Sequence, residues 1–328
     1  MKLLVLGGSV FLSRAVAAHA VAVGHDVVCA TRGRSGGAPD GARWVAWDRD
    51  EPVPDALADE TFDVVVDVAR HPSRVRAAVA AFPNSHWVFV STINVYADDA
   101  TPGGTPENLP LVEPRDEDAD LTVEPEAYGP MKRACELSVL DGAASATIVR
   151  PGLIVGPGDP SGRFSYWPAR LADGGEVLAP GSPDDAVQVI DVRDLAAWLV
   201  LLAERRTVAI LDGTGQPTTR GAALAEIARG VAVDPRLTWV DQSFLLDREV
   251  PPWMGPGSLP LWLPLPDYAG LVSHDVTASY AAGLQTRGLA ETAGDTLAWL
   301  RSADGIAPIG MGREAEAELL ADWQNHRA

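Results

Sequence analysis

A chain of 328 residues suits about two domains, long enough to bury a core without disulfide or metal staples. Its 26 Lys and Arg against 45 Asp and Glu leave a net charge of −19, which argues against non-specific nucleic-acid binding and against docking on anionic lipid through a basic face. A hydrophobic fraction of 47% excludes wholesale disorder, and two cysteines, Cys29 and Cys135, are too few for a disulfide framework or a cysteine zinc site.

Lys2 to Leu6 reads as a short buried strand, Gly7-Gly8-Ser9 as a turn, and Phe11 to Val23 as a helix rich in Ala and Val. Asp26 to Ala30, Arg43 to Trp47 and Phe62 to Val68 are the predicted second, third and fourth strands. Ser73 to Phe82 reads as a helix and Trp87 to Ser91 as the fifth strand. Apolar runs of about five residues alternating with helices predict a parallel sheet covered on both faces. Residues 97–127 hold ten acids and several prolines, and are expected to form a solvated acidic surface loop. Ala127 to Leu140 is then a helix and Ala146 to Arg150 a sixth strand. Beyond Pro151 the chain is loop-rich. Val187 to Asp191 reads as a return to the sheet and Leu195 to Ala203 as a helix, before a Pro- and Trp-rich segment from Pro251 to Pro266. No signal peptide and no segment long enough to span a bilayer is visible, so a reduced cytoplasm is the expected setting. No His/Asp/Glu cluster has metal-ligand spacing, and no metal is expected.

A first strand, a glycine turn and a helix form the start of a dinucleotide-binding βαβ unit. GGSVFLSR, Gly7 to Arg14, has the strand-to-helix context that such a turn requires, so Gly7, Gly8, Ser9, Val10, Phe11 and Leu12 are candidate cofactor contacts. The match to GxxGxxG is partial, with Val10 and Ser13 at the second and third glycine positions. The second strand runs into Thr31-Arg32-Gly33-Arg34, two arginines and no acid. An acid there suits the ribose hydroxyl of NAD, and an arginine a 2′-phosphate, so NADP(H) is favoured over NAD(H). Asp48, after the third strand, is placed to accept from an adenine amine.

The chemistry is expected further along. Ser91-Thr92 closes the fifth strand, where ligands bind in open α/β sheets. Tyr128 and Lys132 stand four apart in YGPMK and share a helix face. A phenol is a poor base near neutrality, and a neighbouring ammonium brings it toward working range.

These segments resemble the extended short-chain dehydrogenases/reductases of the NAD-dependent epimerase/dehydratase family. LLVLGGSVFLSR, WVFVSTINVY, YGPMK, VRPGLIVGPGD and VIDVRDLA occur in that family's order. The resemblance implies a Rossmann-type doubly wound parallel sheet with a smaller, mostly C-terminal substrate-binding lobe. The expected division is 1–155 plus 187–215 for the nucleotide domain and 156–186 plus 216–328 for the lobe. It implies a catalytic triad of Thr92, Tyr128 and Lys132, with Ala69, Ser91, Lys132, Pro151, Gly152 and Leu153 beside the cofactor. It also implies a homodimer built through the YxxxK helix. Nucleotide-sugar dehydratases carry Asp-Glu after the active Thr, where this chain has Ile93-Asn94. Val187 replaces the arginine with which many nucleotide-sugar members clamp a diphosphate. Both departures suggest a smaller or more apolar substrate, for which Arg70, His71, Asn94, Phe164, Tyr166, Trp167 and Trp253 are candidate contacts.

The leading expectation is an NAD(P)(H)-dependent reductase of a small carbonyl, imine or alcohol, with Tyr128 as proton donor or acceptor. A nucleotide-sugar epimerase that oxidises and re-reduces one carbon with a tightly held NAD is the alternative. A non-catalytic NADP-sensing or RNA-binding relative is the third, opposed by the retained Tyr128 and Lys132 and by the acidity.

Overall fold

The computed structural model describes residues 1–302 and 305–327. Seven strands form one parallel sheet. They are β1 (Lys2–Leu6), β2 (Asp26–Thr31), β3 (Arg43–Ala46), β4 (Val64–Asp67), β5 (His86–Val90), β6 (Ser145–Pro151) and the edge strand Ala209–Gly213. Their spatial order is β3-β2-β1-β4-β5-β6 followed by the edge strand, so the order reverses between β1 and β4. The sheet is connected through α1 (Phe11–Ala22), the one-turn α2 (Asp55–Ala58), α3 (Pro72–Ala81) and α4 (Tyr128–Gly142).

The strands are apolar along their whole length because both faces are covered. Leu4, Leu6, Val28, Ala30, Trp87, Phe89, Ala146 and Ile148 share one core with Val75, Ala78 and Val79 of α3 and Cys135 and Val139 of α4. The intervening residues Leu3, Val5, Val27, Cys29, Val64, Val66, Val88 and Val149 are equally buried. Such alternation in a strand puts successive side chains on opposite faces. Helix α1 packs against the helix Val192–Glu204.

The chain divides into two compact units. The first comprises Met1–Leu153, Val192–Thr214 and His274–Gln285. Two expectations need correction. Val187–Asp191 does not rejoin the main sheet: Val189–Asp191 pairs with Leu153–Val155, Ala186–Val187 pairs with Thr218–Thr219, and the seventh strand is Ala209–Gly213. His274–Gln285 belongs to the first unit rather than the lobe, tied there by Asp212, whose carboxylate meets His274 Nδ1 at 3.0 Å and whose carbonyl accepts from Ser279 Oγ at 2.6 Å.

The second unit comprises Ile154–Asp191, Gly215–Ser273 and Thr286 onward. In it, Glu176–Pro180 and Arg236–Val240 make a parallel pair. Helices Tyr166–Ala172, Arg220–Gly230 and Leu289–Leu300 pack together, and a buried Arg170–Glu316 ion pair at 2.6 Å joins Tyr166–Ala172 to the helix Arg313–Arg327. Among the described residues no helix is long and apolar enough to cross a membrane, and no group of three His, Cys, Asp or Glu could hold a metal.

The acidic segment after β5 is clipped to the first unit rather than simply solvated. Val112 N donates to Val95 O at 2.9 Å, and Leu109 and Ala119 are buried. Asp118 accepts from the backbone N and the hydroxyl of Ser73, in the first turn of α3. The backbone N–H is one of the donors that a helix start leaves open.

Candidate functional site

A cleft of about 490 Å³ opens at the carboxyl ends of β1, β2 and β4, where the strand order reverses. Ligands of open α/β sheets bind at such a switch point. The turn after β1 forms its floor. Gly7 and Gly8 have φ of +126° and +99°, and a Cβ on Gly8 would stand 2.5 Å from Cys29 Sγ. Both positions therefore need glycine. Helix α1 starts at this turn with no side-chain cap, so its first N–H groups are free to meet an anion. Ser13 replaces the third glycine, and its hydroxyl donates to Val10 O at 2.9 Å, within the turn.

Of the predicted cofactor contacts, Gly7, Ser9, Val10, Arg32, Arg34, Asp48 and Ala69 line this cleft. Gly8, Phe11 and Leu12 do not; Gly8 and Leu12 are buried behind the turn. Thr31, Trp47, Arg49, Val68 and Arg74 also line the cleft, and sequence reasoning missed them. The cleft is basic. Asp48 is its one acidic lining residue among the described residues, against Arg32, Arg34, Arg49, Arg70 and Arg74. Arg49 is paired with the buried Asp67 and Arg74 with the exposed Asp50. Arg74 holds the Asp50 carboxyl below its ordinary range.

Thr92 follows β5 and starts a short helical turn, Ile93–Val95. Its hydroxyl accepts from Asn94 N at 3.2 Å and donates to Asn94 Oδ1 at 2.9 Å. The exposed Asn94 thus shapes the turn at the place where dehydratases carry acid and base. Half-buried Tyr128 opens α4, and Gly129 beside it lets the helix touch this turn: a Cβ there would lie 2.1 Å from Asn94 O. One turn on, Lys132 is 1% exposed. Its ammonium donates to Ala69 O at 2.8 Å and to Val90 O, at the ends of β4 and β5, and sits 4.3 Å over the Phe89 ring. Burial pulls its pKa down to about 8. Ser91 Oγ is buried and has no hydrogen-bond partner among the described residues. Pro151 closes β6, and Gly152 touches Thr214 closely enough that a Cβ would stand 3.0 Å from Thr214 Oγ1. The buried Leu153 follows.

A buried network frames this end of the sheet. Arg150 of β6 gives two 2.8 Å bonds to Glu136 of α4 and one of 3.2 Å to Tyr96 Oη. Tyr96, four residues after Thr92, donates to Asp212 at 2.6 Å. Burial and the Asp212 charge push the Tyr96 phenol well above its ordinary pKa, so it is a fixed donor. The helix bearing Tyr128 and Lys132 and the turn bearing Thr92 are thereby anchored to the same arginine.

The predicted substrate contacts separate. Arg70 and His71 line the cleft, and His71 Nδ1 lies 3.9 Å from Asp118. Burial, with Arg74 nearby, lowers the His71 pKa. Phe164, Tyr166 and Trp167 are not open lining residues but are buried in the second unit, where Trp167 Nε1 donates to Pro260 O at 2.8 Å. Large aromatics in a loop-rich stretch serve there as the core of a small lobe. Trp253 is half-buried under the Arg163 guanidinium, 5.0 Å from its ring.

Similar proteins share this fold. A UDP-N-acetylglucosamine 4-epimerase from Bacillus cereus superposes with a TM-score of 0.66 at 16% identity, over 94% of this chain and 99% of that one. A UDP-glucose 4-epimerase gives 0.65 at 15% identity, over 94% and 100%. The Bordetella bronchiseptica enzyme WbmH, solved in complex with NAD+, gives 0.61 at 16% identity, over 92% and 99%. A search of the curated proteins gives no match. A family model matches residues 3–210, which run from β1 through the turn, the Thr92 and Tyr128 segments and into the edge strand. With nearly two-thirds of its length so matched, and the switch-point cleft in place, the chain belongs to the NAD dependent epimerase/dehydratase family.

Proposed function

We propose that the protein is an NADP(H)-dependent oxidoreductase acting on a small carbonyl, imine or alcohol. The observation that carries this reading is the Tyr128–Lys132 face of α4 closed onto the Thr92 turn across Gly129, beyond a basic nucleotide cleft. The residues present fit a dinucleotide. The glycine turn admits no Cβ at Gly8, the α1 N-terminus is uncapped, and the buried Ser91 hydroxyl has a bond to give. Arg32 and Arg34 are exposed in the cleft and make no close ion pair among the described residues, which suits a 2′-phosphate.

The nicotinamide, when bound, supplies or accepts a hydride. Tyr128 Oη gives a proton to the substrate oxygen or nitrogen, or takes one from it. Two of the three Lys132 N–H donors go to carbonyls, leaving one for a ribose oxygen, while its charge favours the tyrosinate. Thr92 turns its hydroxyl from Asn94 toward the substrate oxygen. The second unit serves as the substrate lobe, and a homodimer in the cytoplasm belongs to the same reading.

Epimerisation of a nucleotide sugar is the second reading, supported by the several epimerases among the similar structures. Val187, in place of a diphosphate-clamping arginine, weighs against it. The test is nucleotide titration followed by a substrate panel. NADPH should bind at least about tenfold tighter than NADH, and Arg32→Ala with Arg34→Ala should erase the difference. A carbonyl panel should consume NADPH, and Tyr128→Phe should lower turnover by about two orders of magnitude or more while nucleotide still binds. Co-purified NAD, with UDP-glucose or UDP-N-acetylglucosamine epimerised and no net NADPH consumed, would overturn the reductase reading in favour of the second.

A further inference from the structure

Arg49 stands in the wall of the nucleotide cleft, directly after Asp48. Its guanidinium is fixed along one edge. Nη1 and Nη2 donate to the two oxygens of Asp67 at 2.8 Å each, and Nη2 donates also to Arg74 O at 2.6 Å. Asp67 is fully buried at the end of β4 and accepts from Ala69 N at 2.8 Å, so its own carboxylate cannot swing. The Arg49 Nε is buried and has no partner. The Trp47 ring lies on the same wall, with its centre 5.8 Å from Arg49 Cζ.

Those bonds decide what Arg49 can offer a ligand. The edge toward Asp67 and Arg74 is occupied and Nε is sealed, so little hydrogen-bonding capacity faces the cleft. Yet 11% of the side chain is exposed and it lines the cavity. What remains to present is the flat face of a delocalised cation, locked against rotation. A planar guanidinium stacks on π systems, and one already immobilised loses little entropy in doing so. Its charge is also matched by Asp67, so it adds little attraction for phosphate. The cleft therefore divides by chemistry, with Arg32 and Arg34 toward an anionic group and Arg49 toward a neutral flat ring.

We propose that Arg49 is the stacking platform for the adenine ring of the bound dinucleotide. This rests on the dinucleotide reading given above. Asp48, its neighbour on the same wall, accepts from the exocyclic amine while Arg49 covers a face of the ring. The Asp67 pair exists to hold that face still.

The test separates a flat surface from a structural ion pair. Removing Arg49 alone would leave Asp67 buried and unpaired, so Asp67→Asn accompanies each change; asparagine still accepts from Ala69 N. Arg49→Met with Asp67→Asn removes both the charge and the flat face. Arg49→Phe with Asp67→Asn removes the charge and keeps a flat face. Adenosine 2′,5′-bisphosphate and nicotinamide mononucleotide are titrated calorimetrically against wild type and both variants. The methionine variant should bind adenosine bisphosphate about tenfold or more weakly, and the phenylalanine variant within about threefold of wild type. Nicotinamide mononucleotide should bind all three alike. Equal losses in both variants would assign Arg49 a structural role and overturn the platform, as would an unchanged methionine variant. Failure of wild type to bind either nucleotide would instead remove the dinucleotide reading itself, and the platform with it. Should a variant fail to fold, Arg49→Lys keeps the Asp67 pair without the planar face, and wild-type affinity there would equally overturn the proposal.

Discussion

Glu136 tests whether the helix carrying Tyr128 is held by a buried ion pair. Tyr128, Lys132 and Glu136 follow at intervals of four, so they line one face of α4. Glu136 accepts from Arg150 Nε and Nη2 at 2.8 Å each and from Arg133 Nη1 at 3.0 Å. Neither Glu136, at 0% exposure, nor Arg150, at 1%, reaches solvent. Glu136→Leu would leave the Arg150 guanidinium with only Tyr96 Oη to satisfy it. Breaking a buried pair from one side costs about 3–5 kcal/mol. Arg150→Met in the same chain removes the orphaned cation, so the double variant should recover all but ~1–2 kcal/mol. Chemical denaturation of wild type, both single variants and the double variant gives the coupling energy. A Glu136→Leu cost under ~1 kcal/mol, or a double variant as unstable as the two single variants added, would refute the reasoning.

Two further predictions concern the cofactor side. Burial holds the Lys132 pKa at about 8, below the ordinary lysine value of 10.5. Between those values the unfolded chain binds a proton that the folded chain lacks, so stability rises with pH across the window, by ~3 kcal/mol from this group. Lys132→Met should lack that increment when urea unfolding is compared at about pH 7.5 and pH 10. Equal pH slopes in the two proteins would count against it. Gly8→Ala combines a φ of +99° with a Cβ 2.5 Å from Cys29 Sγ, whereas Gly24 has a φ of +90° and nothing within 4 Å. Gly24→Ala should therefore cost ~1 kcal/mol of backbone strain, and Gly8→Ala ~1–3 kcal/mol more with loss of nucleotide binding. Equal thermal shifts in the two variants would show that the turn relaxes around the methyl group.

The strands of the first unit were legible because burial on both faces leaves an unbroken apolar run, as in VVVD and WVFV. Partners were not. Val189–Asp191 is a strand, but strand pattern does not specify its neighbour, and it pairs locally with Leu153–Val155. The true edge strand, Ala209–Gly213, escaped notice because its first two residues are only partly buried and it carries Asp212. That carboxylate marks a second limit. A buried acid at a strand end must have a partner, and Asp67 and Asp212 both announce one. Which arginine, tyrosine or histidine answers depends on a topology that brings Arg49 to β4 and His274 to the edge strand. Tyr128 and Lys132 could be paired from spacing, and Thr92 joined to them through the family resemblance. The contact between their carriers could not, although the glycine after Tyr128 is the residue that permits it.

The net charge of −19 and a basic cleft at the switch point are compatible because charge is allocated locally. Much of the acid in the 97–127 segment is spent on clips such as Asp118 to Ser73, Asp116 to Arg76 and Glu124 to Arg115. Exposed pairs of this kind contribute little stability each, and they hold the segment's charge in place. Within the cleft, Asp67 and Asp50 pair with Arg49 and Arg74, and Arg32, Arg34 and Arg70 still outnumber the one acidic lining residue among the described residues, Asp48. At physiological ionic strength the screening length is about 8 Å, shorter than the breadth of a domain and longer than a contact. Acids farther away than that are largely screened from a ligand in the cleft, while the arginines that line it are not. The field at the cleft is set by the side chains that line it, and the overall sign of the protein bears on its solubility instead.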